Sequence, residues 1–432
     1  MSEPEMNELE MNKLEMNELE MRKSRFEAEP AMLKSALTTL ATLGVLVAVI
    51  LPALAAEPVT SQKSSEGMAM QAARARMMTA RGAKVAYTKK FDLSSLPEYV
   101  PHQKVSGTIQ LWGSNYITDG FLGGYWEAAF KKYHPHVALD FHMKTTLAAV
   151  PSLVFGVSDV GIGRKITFSE LELFQRYTDR SPIEIDIATG SYDVPGWQPG
   201  YGVVVNRDNP LTKVSMKQLD GIFGAERSGG WEGTSWRPEW ARGAGDNIRT
   251  WGQLGLTGEW ADKPINVYGL NLRYHQATEL SDAILKGSDK WNERLKIYAN
   301  YVSSSGKLER ALNDDLSHDR YGIAIVAAPT TSLNGGTGES ALKILDLAKG
   351  DGDLFVSYTL DTLQDRTYPL FDRIFAYADR VPGQPMDPKI HEFLRFVLSR
   401  EGQSEVMRDG KYLPLTADVV KEQLQKLEQA AK

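Results

Sequence analysis

Three short polar clusters in this 432-residue chain share one setting. Gly113-Ser114-Asn115-Tyr116, Lys144-Thr145-Thr146 and Gly163-Arg164-Lys165 each close an alternating apolar run and lead into residues spaced as a helix. A helix start exposes backbone N–H groups that have no intrahelical partner, so a strand–loop–helix corner can cradle an anion. The same small polar residues also cap helices. One such corner alone reads as a cap. Three corners on neighbouring strands of an α/β sheet converge on one crevice outside the carboxyl ends of the strands, and there the two readings stand level.

The segments that would position these corners alternate between a period of two and a period of 3.6. "GTIQLWG", "HVALDFHMK", "SDVGIGRK", "PIEIDIATGS" and "GYGVVVNRDNP" read as strands. Leu122, Trp126 and Phe130 mark one helix face, a short helix carries Pro151, and "TFSELELFQRY" is a helix capped by Thr167 or Ser169. After Pro210 the character shifts. Five tryptophans between Trp231 and Trp260 lie among many glycines, and such tissue is expected to pack on its own domain rather than to form a sugar platform. A strand, a loop holding Arg273, Tyr274 and His275, and a helix follow in "KPINVYGLNLRYHQATELSDAILKG". "DRYGIAIVAAP" is a buried strand, and "YPLFDRIFAYAD", "PKIHEFLRFVLSREGQ" and "DGKYLPLTADVVKEQL" complete the chain. Strands alternating with helices predict an α/β protein.

Composition narrows the chemistry. With 42% hydrophobic residues the chain can bury a large core in one domain or two lobes. It has no cysteine, which excludes disulfides, thiolate metal sites, a cysteine nucleophile and a lipidated cysteine. The net charge of −6 sits entirely in residues 1–20, a low-complexity repeat of Glu, Met, Asn and Leu that is expected to be disordered. A body so near neutrality has no field for nucleic acid, so any anion site must be local. Residues 21–56 place basic Arg22, Lys23, Arg25 and Lys34 ahead of an apolar stretch that ends in Ala53-Leu54-Ala55. That order reads as a secretory signal peptide, with an uncleaved anchor as the rival, and either puts the body outside the cytoplasm, periplasmic or extracellular. Residues 57–105 read as a linker or arm.

No enzyme is expected. "GVSDVG" lacks the nucleophile-elbow spacing, "LNGGTGES" lacks the phosphate-loop lysine, and His134, His136 and His142 lie around one strand without matching metal ligands. Neither cofactor nor metal is anticipated.

"GSNY" after the first strand resembles the Gly-Ser-Thr-Phe corner of the periplasmic phosphate-binding proteins of ABC transporters. "LTKVSMKQLDGIFG … TWGQLG … KPINVYG" is similar to that family's second-lobe pattern, and "YPLFDRIFAYAD", "EFLRFVLSREGQ" and "GKYLPL" resemble its closing segment. The resemblance spans roughly residues 107–420. It implies a two-lobed type II periplasmic-binding-protein-like α/β fold with hinge-crossing strands: residues 106–198 and 366–432 in the first lobe, 199–365 in the second. It also implies capture of phosphate or a related oxyanion for the membrane permease of an ABC transporter. The chain itself is expected to be a monomer. Carried over by position, the binding residues are Ser114, Asn115 and Tyr116 on the first corner and Thr145 and Thr146 on the second. Two corners depart from the family. Arg164 stands where the family ends a strand in aspartate and is the third-corner binding candidate, offering charge and a planar fork of donors; "GLNLRYHQAT" replaces an arginine followed by Gly-Ser-Gly-Thr, so that Arg273 and His275 become the fourth-corner candidates. Two arginines without an acceptor suit a more highly charged oxyanion, a carboxylate or a phosphate ester. The alternative reading is an extracytoplasmic sensor or scaffold that kept the fold and altered or lost the site.

Overall fold

The structure, a computed structural model, describes residues 86–194, 197–270, 275–298, 305–330 and 340–431. The N-terminal repeat, the signal or anchor, the arm through residue 85 and Arg273 lie outside the described residues. Among the described residues no helix is long and apolar enough to cross a membrane.

The first four strands are β1 (Gly107–Gly113), β2 (Val137–His142), β3 (Val160–Gly163) and β4 (Ile183–Thr189). Alternation builds β1: Ile109 and Leu111 are fully buried, while Gln110 between them and Trp112 after them are only half-buried. The chain then forms β5 (Tyr201–Asn206), β6 (Lys213–Ser215), β7 (Gly230–Glu232), β8 (Ser235–Arg237), β9 (Asn266–Leu270), β10 (Lys296–Tyr298), β11 (Gly322–Ala327), β12 (Leu342–Ile344) and β13 (Asp346–Ala348). It ends its strands with β14 (Arg373–Ala378). One five-stranded sheet runs β2-β1-β3-β14-β4 and the other β10-β9-β11-β5-β12. β1 is parallel to β2 and β3, whereas β14 returns antiparallel between β3 and β4. All six residues of β5 and of β11 are buried, as expected of central strands covered on both faces.

Each sheet has its own core. Helix Leu122–Phe130 and helix Pro388–Val397 cover the first, where the Phe130 ring lies 5.6 Å from Phe393 and 5.2 Å from Phe396. Trp126 is fully buried and donates its indole N–H to Gly402 O at 3.0 Å. Burying each such aromatic contributes about 1.5–3 kcal/mol. Of the five tryptophans, Trp251 and Trp260 pack edge to face in the second core. Trp231 and Trp236 pair on the exposed β7–β8 hairpin instead.

The chain crosses between the sheets twice, once from Thr189 to Tyr201 and once before β14. The closing segment shows the second crossing residue by residue: Tyr368 and Leu370 belong to the second core, Ile374 and Ala376 to the first. The crossings are bonded to each other, Gly190 N to Asp372 O and Tyr201 N to Leu370 O, both at 2.8 Å. Arg366 fastens them further, donating Nε to Thr189 Oγ1 at 3.0 Å and pairing with buried Asp186 at 2.7 Å.

Residues 86–105 lie against this body. Leu93, Leu96 and Tyr99 are buried in the first core, and the Tyr99 hydroxyl donates to buried Glu392 at 2.6 Å beside His134 Nε2 at 2.7 Å. Further upstream, Tyr87 N donates to Gly410 O at 2.9 Å, the Tyr87 hydroxyl bonds Tyr412 O, and Lys89 pairs with Asp361. Leu413, next to Tyr412, is paired with Thr189 at the start of the first crossing. The strap formed by Tyr87, Lys89 and Phe91 therefore touches elements on both sides of the crossings, and Phe91 packs against both cores.

Candidate functional site

The three polar corners are stitched into one edge by main-chain bonds. β1 ends at Gly113, whose φ of +135° is closed to residues with a side chain, and a Cβ there would stand 1.9 Å from Ile162 O. This close approach lets Ser114 N donate to Ile162 O at 2.8 Å and Thr145 N donate to Gly113 O at 2.9 Å. Ser114 is fully buried, with the Tyr412 hydroxyl as its neighbour. Asn115 turns its amide onto Asp119 at 2.6 Å, and the Tyr116 ring packs 4.7 Å from Trp197 of the first crossing. On the second corner Thr145 accepts from Leu147 N at 3.3 Å, capping the 3-10 turn Thr146–Ala148.

Arg164 is committed within its own corner. Its guanidinium, 4% exposed, forks onto Glu170 at 2.9 and 3.1 Å and donates to Lys165 O at 2.7 Å, which leaves Nε buried without a bond. Glu170 is the third residue of helix Phe168–Thr178 and completes a capping box with Thr167, so Thr167 and not Ser169 is the cap. Of the fourth-corner candidates, His275 opens helix His275–Leu285 and Arg273 lies outside the described residues.

Opposite these corners stand groups that sequence reasoning did not single out. Glu279 accepts from the Tyr201 hydroxyl through one carboxylate oxygen, and its other oxygen is buried without a partner. Asp282, a turn further on, is within electrostatic reach of Lys165 and Arg164. Helix His275–Leu285 therefore faces the third corner. Asp372, on the second crossing, is within electrostatic reach of both Glu279 and Arg164: Oδ1 accepts from Arg373 N at 2.7 Å, and Oδ2 is buried with no hydrogen bond. Burial, reinforced by Glu279, holds its carboxyl well above the usual carboxylate range, against the pull of Arg373 and Arg164. Tyr412, beside Ser114, also feels Asp372, so this carboxyl sits within reach of the first corner, the third corner and the facing helix at once. The signal in the sequence was an acid, Asp372, in the middle of the apolar run "YPLFDRIFAYAD".

Aromatic and polar contacts join the rim. Trp231 of the β7–β8 hairpin packs 5.0 Å from Phe168, and Thr234 Oγ1 donates to Gln175 Oε1 at 3.0 Å.

Asp282 offers a test of the facing charges. It is open to solvent yet crowded by protein atoms, and this desolvation raises its carboxyl from 3.8 to about 6. An acid raised on folding keeps its proton longer in the folded chain, so its favourable contribution is complete at low pH and is lost as pH climbs through that window. Asp282→Asn should flatten the melting-temperature profile between pH 4 and pH 6, by about 1–3 °C given the solvent screening. A profile identical to that of the parent would mean that Asp282 is not desolvated in the folded chain.

Two α/β lobes, crossed twice by the chain and presenting polar strand ends toward a facing helix, define a two-lobed binding-protein fold. The chain belongs to the PBP superfamily domain family, whose pattern matches residues 100–401. The phosphate-binding protein PstS of Pseudomonas aeruginosa is 29% identical to it over 338 residues, covering 77% of this chain and 91% of its own. Among solved structures, PstS of Borrelia burgdorferi is similar at 14% identity and a TM-score of 0.45, over 72% of this chain and 100% of its own. An ABC-type phosphate transport receptor of Vibrio cholerae is similar at 17% identity and a TM-score of 0.41, over 71% and 99%.

Proposed function

We propose that the chain is an exported solute-binding protein that captures phosphate or a related oxyanion between its lobes and hands it to an ABC-type permease. The observation that carries this reading is the cradle itself: three strand ends bonded edge to edge, with the buried, unpartnered Oδ2 of Asp372 within electrostatic reach of the first and third corners. Membership of the binding-protein family and the likeness to a protein named for phosphate binding support it. In the protonated form that burial favours, Asp372 donates a hydrogen bond to an anion's oxygen without adding negative charge to the cleft. Backbone N–H groups and hydroxyls at the first two corners supply the other donors, and Arg164, held by Glu170, shapes the third corner. Ser114, Asn115, Tyr116, Thr145 and Thr146 are the ligand-binding residues of this reading, joined by Arg273 and His275 of the fourth corner.

Isothermal titration of the ligand-stripped chain tests it, with phosphate, sulfate, a phosphate ester and a dicarboxylate run side by side. Micromolar or tighter phosphate binding is expected. Asp372→Ala should weaken it at least about tenfold, the worth of one charge-assisted hydrogen bond, whereas Asp372→Asn, which keeps a donor, should stay close to the parent. Equal loss in both variants would remove the donor role assigned to Asp372. Heat from none of the four anions would remove transport and leave the sensor or scaffold reading.

A further inference from the structure

His102, His391 and Glu428 come from three distant segments: the stretch leading into β1, helix Pro388–Val397 and helix Ala417–Ala431. Their ligating atoms all lie within 4.8 Å of one another. The His102 and His391 rings are 6.2 Å apart, and His391 Nε2 stands 3.4 Å from Glu428 Oε1. His391 is only 9% exposed, and its Nε2 is buried without a hydrogen-bond partner. Buried polar atoms are normally paired, so an imidazole nitrogen that makes no hydrogen bond and stands 3.4 Å from a carboxylate, close to a second imidazole, calls for an occupant.

We propose that His102, His391 and Glu428 form a binding site for a divalent cation of the zinc class, riveting the segment ahead of β1 to the two C-terminal helices. Two imidazoles and one carboxylate are the donors that zinc and its late first-row neighbours prefer, with a fourth position left for water. Metal–ligand distances near 2.0–2.2 Å require donor atoms roughly 3.3 Å apart, so the site must tighten. The exposed His102 is free to turn inward, and the 3.4 Å pair already has the spacing. One neighbour opposes the cation. Arg395 Nε lies 3.4 Å from Glu428 Oε1 and must let it go. It has other partners, since its NH1 reaches Glu392 Oε2 and Val100 O, both at 3.2 Å.

The site is independent of the anion cleft, and its test uses metal alone. The full chain is titrated with zinc chloride in phosphate-free buffer, and cobalt(II) is added in parallel to read inner-sphere coordination from its visible absorption. One zinc per chain is expected. His102→Ala and Glu428→Gln should each weaken it about tenfold or more and bleach the cobalt band. Arg395→Gln should tighten it by removing the competing charge. His102 is exposed, so its variant keeps the fold, and circular dichroism checks this for the other two. No zinc binding at millimolar metal, or zinc bound by His102→Ala and Glu428→Gln as tightly as by the parent, would overturn the proposal.

Discussion

Glu170→Ala is expected to lower stability by about 3–5 kcal/mol, read by urea denaturation. The carboxylate accepts both terminal nitrogens of Arg164, and both side chains are largely out of water, 4% and 13% exposed. Removing it strands a guanidinium inside the protein and also breaks the capping box with Thr167. Arg164→Met paired with Glu170→Met should recover most of the loss, because neither charge is then left alone. The double variant also isolates the functional question. If it binds phosphate as tightly as the parent, Arg164 acts only through the shape of its corner. If it binds at least tenfold more weakly, the guanidinium contributes its charge to the anion despite Glu170. An Arg164→Ala variant by itself mixes these effects, since it leaves Glu170 half-partnered.

Gly113→Ala should damage stability and binding together. A residue with a side chain at φ +135° stores about 1–3 kcal/mol of backbone strain, and its Cβ would drive into Ile162 O. Relief requires β1 and β3 to separate at their ends, which breaks the Ser114 N–Ile162 O bond and shifts Thr145 from Gly113 O. We expect a total loss of about 3 kcal/mol or more, with phosphate affinity falling with it. A variant that melts lower yet binds normally would show that the stitched edge is structural and that the anion sits elsewhere.

Much of the first lobe was legible because its signals are local. The alternation in β1, the four-residue spacing of Leu122, Trp126 and Phe130, and the capping pattern at Thr167 each appear within a dozen residues. The polar corners were visible for the same reason. What they touch was not. Arg164 reads as a free cation in sequence, and only the fold turns it back onto Glu170 six residues on. Asp372 is more than 200 residues from the corners it joins, and no period announces a carboxyl on a crossing segment. The stretch from Tyr87 to Tyr99 looked featureless because its apolar residues follow neither period. It is bound as an irregular strap, in which each buried side chain finds its own depression. Trp231, expected to pack within its own domain and paired there with Trp236, also reaches across the rim to Phe168.

The strap bears on how the cleft can move. Its bonds to Gly410 and Tyr412 and its ion pair with Asp361 lie beside the two crossings, where a rotation of one lobe against the other displaces atoms least. A fastening near an axle holds the two halves together through every angle and favours none of them. The choice between open and shut then falls to contacts with a long lever arm, such as Trp231 on Phe168 and Thr234 on Gln175. A pull transmitted through the residues ahead of Tyr87 would load the axle and leave the mouth free to swing.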